Sequence, residues 1–158
     1  MARHTLVVIR HAKSDWTTGQ PDLDRPLAKR GRKQAPDAGA WIAAHLRLDL
    51  AVVSSAARAR ATWDLVAGQL HDVPPVRLDD RVYGASGDAL LEVVRELPEQ
   101  PTTVALVGHN PGVEDLVYQL TGTWTPMPTS AIAVIDIDAG WSTADRAALL
   151  RTAGRPPG

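Results

Sequence analysis

The sequence has 158 residues, 44% of them hydrophobic and 22% charged, which is the size and balance of one globular domain. Its 17 basic and 18 acidic residues give a formal net charge of -1, so the chain as a whole has no electrostatic claim on nucleic acid or an anionic membrane. Cysteine is absent, which excludes disulfides, thiolate metal sites, iron–sulfur clusters and a cysteine nucleophile.

In chain order, Thr5 to Arg10 predicts a first buried strand, and Pro26 to His45 a helix that carries Leu27, Ala35, Ala38, Trp41 and Ile42. Leu48 to Ser54 predicts a second strand. Two helical patterns follow, Ala56 to Leu70 and Ala89 to Leu97. Thr102 to Gly108 predicts a third strand, after which a helix should begin near Asn110, with Asn110 as N-cap and Pro111 in the first helical position. Ala131 to Ile137 predicts a fourth strand, and the Pro- and Gly-rich tail Arg151 to Gly158 is expected to fray. The strands are short, rich in Val and Ile, and apolar without clean alternation, as in a sheet covered on both faces. Strands alternating with helices imply a single three-layer α/β domain with a mostly parallel central sheet spanning residues 1–158. The longest apolar runs, such as Ala131 to Ile135, are too short to span a bilayer, and the N-terminal segment has no signal-peptide pattern. A cytoplasmic protein with neither a membrane nor a nucleic-acid partner is expected.

Ligands of open parallel sheets bind at the carboxyl ends of strands. Those ends carry a biased set here. The first delivers Arg10 and His11, with Lys13 and Ser14 just beyond; the second runs from Ser54 into Ser55, with Arg58 one turn into the next helix; the third delivers His109 and Asn110. Helix N-termini on the same rim add backbone donors for an anion. Singly, each residue reads as a solvated strand end or a surface helix charge. Together they predict a phosphate-sized anion site.

These residues also carry a family resemblance. Arg10-His11-Ala12 resembles the first histidine signature of the histidine phosphatase superfamily. Asp24-Arg25-Pro26-Leu27 with Arg30-Gly31 is similar to the continuation in its short bacterial branch, the SixA-type phosphohistidine phosphatases. Ser54, Arg58, Ala59 and Thr62 match that branch's next segment, and Gly108-His109-Asn110-Pro111-Gly112 its second histidine motif. The resemblance implies a phosphoglycerate mutase-like fold and a metal-independent phosphatase without cofactor. His11 would be the nucleophile, and Arg10, Arg58 and His109 would hold the phosphoryl oxygens. Lys13, Ser14, Thr17, Ser54 and Asn110 become further substrate-binding candidates, Thr17 because many relatives carry a phosphate-contacting Asn there. Asp80 resembles the mutase position of a general acid; the alternative is a solvated acidic turn. The resemblance implies a phosphorylated substrate, in the leading reading a phosphohistidine-bearing protein. A phosphomonoesterase for a small metabolite, or a phosphate-binding module without turnover, are the alternatives. Glu114 and Asp115 are expected to face the N-terminus of their own helix, and Trp124 and Met127 to line the mouth of the site or simply pack. His4, His45 and His71 have no ligand spacing and read as core or surface residues.

Overall fold

The computed structural model describes residues 3–146 and 148–155. Strand β1 (His4–Arg10) is followed by a 3-10 turn at Asp22–Asp24 and helix α1 (Lys29–His45). Then come β2 (Leu50–Ser54), α2 (Ala57–Ala67), β3 (Val76–Asp79) and a second 3-10 turn at Asp80–Val82. Helix α3 (Gly87–Arg95), β4 (Thr103–Gly108), α4 (Gly112–Thr121), β5 (Ile132–Ile137) and β6 (Leu149–Gly154) complete the order. The strands form one sheet in the order β3-β2-β4-β1-β5-β6. Strands β1 to β4 are parallel, β5 runs antiparallel to β1, and β6 antiparallel to β5.

Successive side chains of a strand point to opposite faces. Strand β1 therefore sends Leu6 and Val8 to one core, with Leu90 and Val94 of α3 and Leu116 and Leu120 of α4. It sends Val7 and Ile9 to the other, with Ala38 and Ile42 of α1 and Trp63 and Val66 of α2. Strand β4 divides in the same way, Val104 and Leu106 against Ala105 and Val107. Helices thus cover both faces of the sheet, and the three-layer α/β expectation holds.

The four expected strands fall on β1, β2, β4 and β5. Strands β3 and β6, both at sheet edges, were not expected. Arg151 to Gly154 do not fray as expected: they pair with β5 as part of β6, while 156–158 lie outside the described residues. Helix α1 starts at Lys29 rather than Pro26, because Leu27 bridges to Ser14 in extended backbone. Asn110 does not cap α4. Pro111 holds the N-cap place without a side-chain cap, and the Asn110 amide donates instead to the Met127 carbonyl at 2.9 Å.

Candidate active site

Strands β2, β4 and β1 are neighbours and parallel, so their carboxyl ends share one rim. The register sets Arg10 opposite Gly108, and the His11 N–H extends the ladder by donating to the Gly108 carbonyl at 3.0 Å. His11 and His109 therefore stand side by side, with ring centroids 5.0 Å apart. A cavity of about 270 Å³ opens there, lined by Arg10, His11, Lys13, Ser14, Arg58, His109 and Asn110 from the sequence-derived set. Trp16, Asp22, Arg25 and Thr129 line it too. Four cationic side chains thus face it against one carboxylate.

The partner of His11 sets its tautomer, and that of His109 turns on a hydroxyl. His11 Nδ1 lies 2.8 Å from the Ala12 carbonyl, which can only accept, so the proton sits on Nδ1 and Nε2 keeps its lone pair. His109 Nε2 lies 2.7 Å from Ser54 Oγ, which already accepts from the Ala56 N–H at 3.2 Å. Where the Ser54 hydroxyl donates to Nε2, a neutral His109 carries its own proton on Nδ1. That Nδ1 is buried and has no partner among the described residues. His11 is 7% exposed and His109 8%. Burial above all, with cationic neighbours adding to it, holds His11 down to about 3 and His109 down to about 4.

Arg58 sits in the first turn of α2, 6% exposed. The same turn is fixed to the β1 loop through Thr62, which accepts from the Ala12 N–H at 2.9 Å and donates to the Arg58 carbonyl at 2.7 Å. Arg58 donates to the Asp22 carbonyl at 2.7 Å and to its carboxylate at 3.0 Å. The Asp22 carboxylate also accepts from Arg25 at 2.8 Å and from the Tyr83 hydroxyl at 2.6 Å. Tyr83, then Arg25 and Arg58, hold that carboxyl well below the usual carboxylate range, outweighing its partial desolvation. Arg25 is itself buried and donates to Ser14. Arg10 donates to the Met127 carbonyl at 3.1 Å, while its Nε, like that of Arg58, has no partner among the described residues.

Other candidates lie off the cavity. Thr17 is exposed and bonds to Asp15 through its N–H at 2.8 Å and its hydroxyl at 2.6 Å. Ser54 supports His109 from behind and does not line the cavity. Asp80 is exposed on its 3-10 turn and does not line it either; Tyr83, just after that turn, packs its ring edge-on to His109 at 5.7 Å. Glu114 does more than face its helix terminus: it accepts from the Met127 N–H at 2.7 Å. The Met127 side chain is buried in the core, and Trp124 is exposed beside Tyr118. Asp22, Arg25, Tyr83, Trp16 and Thr129 were not singled out for the site. Arg25 alone left a signal, inside the Arg-Pro-Leu motif.

His4 is buried edge-on to Trp141 at 4.8 Å, His45 stacks on Trp41 at 4.4 Å, and His71 is exposed. Among the described residues no group of three or more His, Asp and Glu side chains is arranged to hold a metal ion. A wider groove of about 580 Å³ lies between α2 and β3, lined by Trp63, Val73, Val76 and Leu78 with Arg60 and Asp64. It has no histidine and no cluster of cations, in contrast to the smaller cavity. No helix among the described residues is long and apolar enough to cross a membrane.

A three-layer α/β domain that brings two imidazoles and four cations to one cavity beside its strand ends is suited to bind an anion. The chain belongs to the histidine phosphatase superfamily (branch 1), whose profile matches residues 6–84. An uncharacterised protein of Mycobacterium tuberculosis (strain H37Rv) is 36% identical to it over 146 residues, covering 85% of this chain and 90% of that one. A structure from Nakamurella multipartitia, solved as a candidate phosphohistidine phosphatase SixA, superposes with a TM-score of 0.89 at 28% identity, over 100% of this chain and 99% of that one. The protein histidine phosphatase SixA solved with tungstate superposes with a TM-score of 0.84 over 96% and 97% of the two chains; at 20% identity this likeness bears on the fold alone. Family and fold together support phosphatase activity.

Proposed function

We propose that this protein is a phosphohistidine phosphatase that works through a covalent phosphohistidine on His11, with a phosphorylated protein as substrate. One observation supports the leaving-group part of this reading most: Asp22, the carboxylate lining the cavity, is locked as an ion. It accepts from Tyr83, Arg25 and Arg58, and stays ionised where a general acid would have to carry a proton. An alkyl phosphate expels an alkoxide, which needs such a proton. A phosphohistidine protonated on its ring expels neutral imidazole, which does not.

The chain's own groups account for the steps. His11 Nε2 attacks phosphorus in line, the bond to the substrate's ring nitrogen breaks, and that nitrogen leaves with the electron pair. Arg10 and Arg58, with planar forks, and the Nδ1–H of His109 hold the equatorial oxygens. Water then attacks phosphorus, the bond to His11 Nε2 breaks, and the water proton ends on the released phosphate or its solvent. His11 returns to the neutral tautomer that the Ala12 carbonyl selects. Both steps use protein groups and water.

Brief reaction with a radiolabelled phosphohistidine protein, quenched in base, tests the intermediate. A base-stable, acid-labile label on His11 is expected, absent from His11→Ala. Label on a serine, or full turnover by His11→Ala, contradicts the mechanism.

A further inference from the structure

Trp16 is the most exposed large apolar side chain among the described residues, at 72%, yet it lines the same cavity as His11, Arg58 and His109. An indole open to water on the wall of a charged cavity offers a flat apolar surface to whatever enters it. It is not a loose side chain on a loose loop. The Arg25 guanidinium carbon lies 3.7 Å from its ring centroid and covers one face. Arg25 is itself buried and fixed by Ser14 and Asp22. The loop is held on both sides of the tryptophan. Asp15 donates its N–H to the Pro26 carbonyl at 2.8 Å, Ala28 donates to the Lys13 carbonyl at 2.9 Å, and Thr17 closes a turn on Asp15. The ring is therefore supported on one face by a cation and open to water over most of its remaining area.

We infer that Trp16 is a stacking platform for an aromatic leaving group: the ring of a phosphorylated imidazole or phenol lies on its free face while the phosphoryl group sits among the cations. A planar ring gains from an offset or edge contact with an indole, and a protonated imidazole gains also from the cation–π attraction. A small alkyl group has no such gain. The inference rests on the proposed phosphatase reading but needs only that the cavity takes a phosphoryl group.

Binding of phosphonates tests it without turnover. Phenylphosphonate and methylphosphonate share the anion and differ in the ring. The wild-type protein is expected to bind phenylphosphonate about three- to tenfold more tightly, the scale of one aromatic pair. Trp16→Ala should lose that preference and keep its affinity for methylphosphonate; Trp16→Tyr should restore most of it. In turnover, Trp16→Ala should raise KM for phosphohistidine and aryl phosphates and leave phosphoramidate, which has the P–N bond without a ring, unchanged. An equal loss on both phosphonates would mean that Trp16 only holds Arg25, and overturns the inference. So does a loss confined to phosphorylated proteins, which would make Trp16 a protein contact. Retained ring preference with hydrolysis of aryl phosphates but not phosphohistidine would uphold the platform and refute the proposed substrate.

Discussion

Arg58 is the cation on which most of the site converges: its fork is buried, faces the cavity, and is partnered by Asp22 on its two Nη atoms. Arg58→Ala should lower turnover by about 10²–10³-fold, the scale of one preorganised transition-state donor. Arg58→Lys should recover only part of it, because an ammonium keeps the charge without the fork. Steady-state kinetics with phosphate inhibition checks this; a folded, fully active Ala variant contradicts the placement. Arg10, His11, Arg58 and His109 were legible in the sequence because each lies at a strand end or in the helical turn that follows one, and the three strands are neighbours in the sheet. Asp22 and Tyr83 were not, and Arg25 was legible only as part of the Arg-Pro-Leu motif. Asp22 and Arg25 reach the site only because the chain folds back through the Ser14–Leu27 bridge, and Tyr83 because it follows an edge strand. Asp80, a candidate acid by its resemblance to the mutase position, lies on the solvated turn that was its alternative. Its neighbour three residues on meets His109, while Asp80 itself stays on the surface.

At the level of elements, the two-sided cover of the sheet made β1, β2, β4 and β5 readable as short apolar runs. Strands β3 and β6 each have one strand neighbour, and their exposed residues, Arg77 and Arg151 among them, mask the strand pattern. The contact of α1 with the loop after β1 is a further feature that only packing reveals. A Cβ on Gly31 would lie 2.1 Å from the Lys13 carbonyl oxygen and 2.9 Å from the Lys13 nitrogen, so this helix lies against the loop only because residue 31 lacks a side chain. Gly31→Ala should push the Lys13 backbone, two residues past the nucleophile. The expected cost is about 1–3 kcal/mol of stability from overpacking. Displacement of catalytic groups by as little as 1 Å can cost about 10²-fold, so kcat should fall by about 10–10²-fold in a protein that still folds. Urea unfolding beside kinetics checks both, and unchanged values in both contradict the packing argument.

Across the whole molecule the two imidazoles of the cavity, His11 and His109, couple stability to pH. In the unfolded chain they take up protons near 6.5, whereas in the fold they do so only near 3 and 4. Between those values the unfolded state binds more protons, so stability is full above about 6.5 and falls as the pH drops toward 4, by at most about 1.4 kcal/mol per pH unit for each histidine. The Asp22 carboxyl, also held low, adds a loss of the same sign further down, within the carboxylate range. Urea unfolding at about pH 7.5 and pH 5 should show the fold weaker in acid, with a shallower slope in His11→Ala; equal stability at both contradicts the burial argument. The central claim is that this domain cleaves phosphoryl groups from leaving groups that need no carboxylic acid, and the ratio of kcat/KM for a phosphohistidine protein to that for an alkyl phosphate measures it. The ratio should reach at least about 10², the low end of what a missing general acid costs, and Asp80→Asn should leave it unchanged. Alkyl phosphate hydrolysis as fast as that of phosphohistidine, collapsing in Asp80→Asn, would contradict it.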